Sequence, residues 1–351
     1  MILAFESSCD ETAMALVDAH GKVLLNCCLS QIELHNRYGG VVPELASRSH
    51  FEILDELTQR LQKAEADKVF DRSQIRSVAA TMGPGLIGPL LVGSNFARGI
   101  ASAWSKKFRG VHHLRGHLAS VLLDPQLDEK YPGLTLVEKA QKIFPAIVLL
   151  VSGGHCLLML VTPQLEARIL KTTSDDAAGE CFDKCAKLMG LPYPGGPSIQ
   201  KEALLCTSES EKALAREWAA QLPRPKSEEG FSFAGLKTAF RLLMEKDPRG
   251  KANRPAICKA LEETIADSLL KVIKSADDSF EDIENFICCG GVAANLHLRE
   301  KLQKWSEGKS LNFHTVPFSY ATDNAAMIAV AAWVQASNLN EQQVFTRGHL
   351  E

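Results

Sequence analysis

Twice in this chain three short apolar strands follow one another, with a turn of small or polar residues between the first two. Residues 2–5, 13–17 and 23–29 form the first set, with Glu6-Ser7-Ser8-Cys9-Asp10-Glu11 after the opening strand. Residues 146–151, 156–161 and 167–170 form the second, with Ser152-Gly153-Gly154-His155 in the same place. Each set reads as a three-stranded meander. Each is followed by amphipathic helices. Leu54, Leu57 and Leu61 mark an apolar stripe within 44–66, and Ile257, Leu261, Ile265 and Leu269 mark another. A repeated meander-plus-helices plan points to two similar α/β lobes. Residue identity between the halves is slight, so two unrelated α/β domains are the alternative.

At 351 residues the chain exceeds one average domain, which suits two lobes. Paired α/β lobes facing a central cleft are the plan of the actin-like (ASKHA) architecture, shared by sugar kinases and Hsp70-like proteins. There the first hairpin of each lobe offers backbone amides to phosphates. The expected division is 1–115 for the first lobe, with a C-terminal helix at 323–351 packing back on it. Residues 116–322 make the second, including a polar insertion near 124–144 broken by Pro125, Pro132 and Gly133. An exposed loop is expected at 222–230.

Hydrophobic content of 46%, charged content of 23% and a net charge of −3 describe a soluble globular protein, not a uniformly basic nucleic-acid binder. Ten cysteines without any Cys-x-x-Cys read as buried thiols in a reducing compartment. No apolar run reaches eighteen residues, so no membrane span is expected. The first residues enter a strand directly, which suggests a cytoplasmic protein; a mitochondrial or other organellar protein with its leader removed is the alternative.

His113 and His117 stand four residues apart, on one face of a helix. Two imidazoles so placed can hold a transition metal, and a carboxylate completing them leaves positions open for substrate. Asp323, after Thr322 at the start of an Ala-rich helix expected over 323–337, supplies such a carboxylate, or simply caps that helix. Four glycine-rich turns accompany the pair. Gly83-Pro84-Gly85 through Gly88 joins a strand to a helix and suits close approach of a ligand or plain packing. Ser152-Gly153-Gly154 exposes amides that can receive phosphate or carboxylate oxygens. Tyr193-Pro194-Gly195-Gly196-Pro197 and Gly290-Gly291-Val292-Ala293-Ala294-Asn295 are similar, the last opening a helix whose N-cap Asn295 could be. Asp176, Glu180 and Asp183 can line one helix face. Between 222 and 260 basic residues outnumber acids and Phe231, Phe233 and Phe240 are interleaved, which fits either an RNA-tracking surface or a solvated helix face.

Together these segments resemble the TsaD family, which installs threonylcarbamoyl on adenosine of transfer RNA. The residues that carry the resemblance run in order along nearly the whole chain. They are Glu6-Ser7-Ser8-Cys9-Asp10-Glu11-Thr12, Gly39-Gly40-Val41-Val42-Pro43-Glu44 with Arg48 and His50, Gly83-Pro84-Gly85, His113 with His117, and Val151-Ser152-Gly153-Gly154-His155. Further along come Asp175-Asp176-Ala177-Ala178-Gly179-Glu180, Pro194-Gly195-Gly196-Pro197, Phe231-Ser232-Phe233 with Gly235-Leu236-Lys237-Thr238, Gly290-Gly291-Val292 and Thr322-Asp323-Asn324. The Gly-Gly-Val-Val-Pro-Glu wording is similar to the bacterial and organellar branch. The resemblance implies one divalent ion, Fe2+ or Zn2+, on His113, His117 and Asp323. It implies that Leu150, Val151, Ser152, Gly153, Gly154, Asp183, Gly196 and Asn295 hold the nucleotide-bearing substrate, threonylcarbamoyl-AMP. The acyl group would pass to the exocyclic amine of the adenosine beside the anticodon of tRNAs reading ANN codons, with Asp10 or Glu11 as proton acceptor. TsaB-like and TsaE-like partner proteins are implied for a bacterial member, and a homodimer for an organellar one. Cys156, Ala234 and Gln200 depart from the family's usual residues; Gln200 puts a hydrogen bond to a ribose in doubt. A metal-dependent peptidase and an actin-like small-molecule kinase are the rival readings. The first lacks the Glu that zincins place directly after the first His, where Leu114 stands.

Overall fold

We describe a computed structural model of the chain; the described residues are 1–36, 38, 40–224, 230–247 and 249–335. The chain divides into two compact units. The first is Met1–Pro145 with Val161–Ala167 and the segment from Val316 on; the second is Ala146–Leu160 with Arg168–Thr315. The boundary thus falls after Pro145, where the sequence expectation put it at 115.

In the first unit five strands form one sheet: β1 (Ile2–Glu6), β2 (Glu11–Val17), β3 (Val23–Ser30), β4 (Ser77–Gly83) and β5 (Lys107–His112), in the order β3-β2-β1-β4-β5. β1 pairs antiparallel with β2, from Ile2↔Val17 to Glu6↔Ala13, and parallel with β4. Every residue of β1 is buried, as its unbroken apolar run requires in a sheet covered on both faces. Leu3, Phe5, Met14 and Leu16 share a core with Leu54, Leu57, Leu61, Ala97 and Ala101. That places helices Pro43–Ala66 and Ile87–Ala103 on one face. The alternate residues Ile2, Ala4, Ala13 and Ala15 face the other way, toward helix Ala325–Val334, which packs on all five strands. Every residue of that helix except Trp333 is buried, so its all-round apolar sequence is that of a central helix.

In the second unit the strands are β6 (Ala146–Val151), β7 (Cys156–Val161), β8 (Ala167–Lys171), β9 (Asn285–Cys289) and β10 (Asn312–Thr315), in the order β10-β9-β6-β7-β8. Both sheets therefore place their strands third, second, first, fourth, fifth, read from one edge for the first and from the other for the second. The fourth runs parallel to the first in each, β4 to β1 and β9 to β6. The repeated plan inferred from pattern is thus a repeated topology.

Two expectations change. The 124–144 segment, expected as a polar insertion in the second lobe, falls in the first unit. It forms helices Pro125–Lys130 and Leu136–Ile143, the latter held by a Thr135/Glu138 capping box, and buries Leu127, Leu136, Ala140, Ile143 and Phe144. Lys139, buried at the end of its stem, donates to His20 O and to Asp128. Leu136 N donates to Ala19 O at 2.7 Å, which ties the segment to the β2–β3 turn. The Ala-rich helix begins at Ala325, not at 323, and residues 336–351 lie outside the described residues. So do Gly39 and residues 225–229 of the expected loop.

Candidate metal centre and nucleotide turns

Strand β5 delivers the histidines. The His112 imidazole accepts Leu114 N at 3.2 Å and starts helix His113–Ala119. Gly116 lies on the face of that helix turned to helix Ala325–Val334; a Cβ there would stand 2.8 Å from Ile328 Cδ1. Glycine thus lets the histidine helix settle against the element that Asp323 precedes. Asn324, not Asp323, caps that element, accepting Met327 N at 2.9 Å. Capping being done one residue later, the Asp323 carboxylate turns to the imidazoles. It lies 3.1 Å from His117 Nε2 and 3.6 Å from His113 Nε2. The two rings are 4.8 Å apart between centroids and nearly perpendicular, at 82°.

All three side chains belong to the first unit, and one donor atom of each lies within 4.8 Å of the others. The carboxylate–imidazole separations bracket the ~3.3 Å between neighbouring donors that follows from metal–ligand bonds of ~2.0–2.1 Å in a tetrahedron. The donor set fits a divalent transition ion.

Behind His113 stands Glu6, a residue to which the sequence reading gave no role. Its carboxylate is 3.3 Å from His113 Nδ1, and Ser8 Oγ is also 3.3 Å from that nitrogen. Glu6 Oε1 accepts Ser8 N at 2.6 Å and Oε2 accepts Thr81 Oγ1. A buried carboxylate on the far nitrogen of a ligand histidine fixes its tautomer and orientation. Burial alone would raise the Glu6 carboxyl, but the charge and hydrogen bond of His113 hold it below the usual range. Burial alone would lower His113, yet Asp323 and Glu6 push it up to about 9. This spot attracts positive charge. His117 Nδ1, by contrast, finds no partner among the described residues.

Asp10 and Glu11 sit at the β1–β2 turn close to this carboxylate field. Glu11 is pushed up to about 10, first by burial and then by Asp323 and Asp10; a cation beside Asp323 opposes the second cause. Buried His50 holds the turn, with Nδ1 2.7 Å from Thr12 Oγ1 and Nε2 3.0 Å from Cys9 O. The Gly83–Gly88 turn serves packing. A Cβ on Gly85 would lie 2.6 Å from Ser8 O, and one on Gly88 2.1 Å from Ser47 Oγ.

In the second unit the β6–β7 turn is closed by Ser152 N donating to His155 O at 2.8 Å. Gly179 opens helix Ala178–Leu188 hard against it: a Cβ on Gly179 would lie 2.6 Å from Ser152 O. Gly290, at φ +91°, approaches Val151 O so closely that a Cβ would stand 2.5 Å away. Gly153, Gly154 and Gly196 have open space where a Cβ would be. Leu150 and Val151 bury their side chains completely, so they have only backbone to offer a ligand. Asp183 Oδ1 accepts Gly195 N at 2.6 Å, beside Gly196. Asn295 caps helix Leu296–Gly308, accepting Leu298 N at 2.9 Å, and donates Nδ2 to buried Glu262 at 2.7 Å. Gln200 accepts Leu296 N at 2.7 Å.

Comparison with known proteins places the chain in a family. The family model described as TsaD, tRNA N6-adenosine threonylcarbamoyltransferase, matches residues 22–330. A relative of that name from Carboxydothermus hydrogenoformans is 39% identical over 335 residues, covering 95% of this chain and 91% of its own. One from Kosmotoga olearia is 40% identical over 340 residues, covering 95% and 93%. Full-length HypF, solved in a phosphate- and nucleotide-bound form, shares the fold at a TM-score of 0.55 and 12% identity, over 95% of this chain and 55% of that one. The fold is the duplicated, actin-like α/β one. The chain belongs to the TsaD family of tRNA N6-adenosine threonylcarbamoyltransferases.

Proposed function

We propose that this chain is an acyltransferase that moves threonylcarbamoyl from threonylcarbamoyl-AMP to the exocyclic amine of the adenosine beside the anticodon of tRNA. The observation that carries this reading is the convergence of His113, His117 and Asp323, at 3.1 and 3.6 Å, in a chain matched to the family along most of its length. These three residues would hold one Fe2+ or Zn2+, which this donor set suits equally. When bound, the ion supplies Lewis-acid polarisation of an acyl oxygen.

The chain's own groups do the rest. Glu6 holds His113 in register. Adenine's amine is a weak nucleophile, because its lone pair is delocalised into the ring, so positioning and charge stabilisation carry the burden. The amides at Gly153 and Gly154 receive the phosphate as AMP leaves, the Ser152 amide being committed to His155 O, and the open space at both glycines admits it. Asp183 and Gly196 bound the nucleoside seat, and Asn295 shapes it through its hold on Glu262. Of the two carboxylates named for the amine proton, Asp10 is the one to accept it, because burial first and Asp323 next push Glu11 up to about 10 and keep it protonated. TsaB-like and TsaE-like proteins are the expected partners in a bacterial cytoplasm; a homodimer is the organellar counterpart. No described helix is long and apolar enough to cross a membrane.

Neither rival is favoured. Buried Leu114 occupies the place of the peptidase base, and a kinase of this fold has no use for paired imidazoles. Incubation of the full chain and its partner proteins with threonylcarbamoyl-AMP and unmodified tRNA, followed by nucleoside analysis, tests the reading. Threonylcarbamoyladenosine is expected; its absence overturns the proposal.

A further inference from the structure

Helices Ala178–Leu188 and Ala234–Lys246 are fastened together by Asp175 and Asp176. Asp175 accepts Phe233 N at 2.8 Å and Ser232 Oγ at 2.5 Å, while Asp176 binds Lys237 at 2.6 Å and Lys184 at 3.3 Å. Between the helices lies a concave pocket of about 310 Å3, lined by Lys184, Lys187, Leu188, Lys237, Thr238 and Arg241. Four of these six are cations. They sit on the outer faces because Cys181, Phe182 and Cys185 on one helix, and Leu236, Phe240 and Met244 on the other, are buried in the core.

The carboxylates that touch these cations are Asp176, Glu180 and Glu245. The pocket therefore keeps one formal positive charge, and Lys187 makes no ion pair among the described residues. Lys184–Glu180 and Arg241–Glu245 are exposed pairs one helical turn apart, weak enough to exchange for a more highly charged anion. Long, solvated stems without a buried polar group to orient a small ligand suit a polymer backbone, which cations read through phosphates rather than through bases. Exposed Leu188 and Thr238 offer a sugar something to rest on. The pocket also has a fixed relation to the β6–β7 turn. Gly179, at the start of the same helix, presses on Ser152, and Lys184 to Lys187 follow roughly 8–12 Å along the axis.

We propose that this pocket grips backbone phosphates of the tRNA substrate outside the reacting nucleotide. The inference rests on the transferase reading given above. Its test compares the full wild-type chain with Lys187→Gln, Arg241→Gln and the double variant, each checked for an unchanged thermal melt. The binding readout is affinity for unmodified tRNA as a function of salt. Each single change is expected to weaken binding roughly three- to tenfold and to flatten the slope of log affinity against log salt by about one lost contact. KM for tRNA should rise while kcat and KM for threonylcarbamoyl-AMP stay put. A wild type that makes the modified nucleoside, beside a double variant with unchanged affinity and slope, overturns the pocket and leaves the transferase standing. A wild type that makes no product overturns the transferase reading and this proposal with it.

Discussion

The turn between β1 and β2 and the turn between β6 and β7 occupy the same place in two sheets of the same strand order, yet they are built for opposite purposes. The first, residues 7–10, holds Asp10 and is flanked by Glu6 and Glu11. His50 and Gly85 clamp it, and it lies among Glu6, Asp323 and the histidines. The second, residues 152–155, is of equal length but has no carboxylate, and both its glycines face open space. In the proposed mechanism the first stands beside the cation held by His113, His117 and Asp323, and the second offers amides to an anion. Topology settles where a hairpin stands, and the residues in its turn settle which charge it receives.

The largest effect should come from emptying the first site. His117→Ala or Asp323→Ala should reduce bound metal from about one ion per chain to background by elemental analysis. Transfer should fall by more than the ~10–100-fold typical of outer-sphere changes. Nucleotide binding in the second unit should persist, and its loss would show that the two turns are not separate devices. Glu6→Gln comes next. It keeps an acceptor near His113 but removes the charge, so metal affinity should drop about 10–100-fold in a competition titration with a chelator, with the melt little changed. A metal affinity equal to wild type would make Glu6 a packing residue.

The second turn can be probed by filling it. Gly154→Val puts atoms into open space, so the protein should fold normally and bind threonylcarbamoyl-AMP roughly tenfold more weakly, about 1.4 kcal/mol, with metal content unaltered. Gly179→Ala meets backbone at 2.6 Å and should instead cost about 1–3 kcal/mol of stability, visible as a lower melting temperature. If both behave alike, the turn is scaffold rather than seat.

The smallest expected effect concerns acid. Glu263 joins helix Arg254–Lys274 to helix Leu296–Gly308, near the Glu262–Asn295 contact, through His297 at 2.5 Å and through Lys301. The close approach of His297 is the main reason its carboxyl is held down to about 2, against burial, with Lys301 helping. A depressed carboxylate stabilises the fold above its unfolded value and loses that contribution as pH falls toward 2. The group is a third exposed, so screening reduces the gain to about 1 kcal/mol. Glu263→Gln should flatten the fall of melting temperature between about pH 4.5 and 3; an unchanged acid limb would remove this pair from the account.

Much of this was legible in advance. Apolar runs and small-residue turns located a meander at the start of the chain and another near its middle, because buried strands leave that imprint. The i, i+4 histidines announced their helix. What one-dimensional reading could not weigh was competition between neighbours. Asp323 looked like a cap until Asn324 was seen to do the capping, and Asn295 does cap its helix while also binding Glu262. The supporting role of Glu6 depends on Ser8, Thr81 and His113 arriving from three different segments, which no local spacing records. The 124–144 segment looked polar because all its buried positions but Leu127 gather in one short helix and the residue after it, between Leu136 and Phe144.

Gly116 gives the metal centre a mechanical property that its ligands lack. The separation between the histidine helix and the start of Ala325–Val334 is set by a position that contributes nothing but a hydrogen atom. Adding one carbon there would press on the side chains of Ile328 and Met327, which would have to shift, without touching any donor. If the proposed ion sits there, its retention would respond to the thinnest point of a helix crossing as well as to the coordinating side chains.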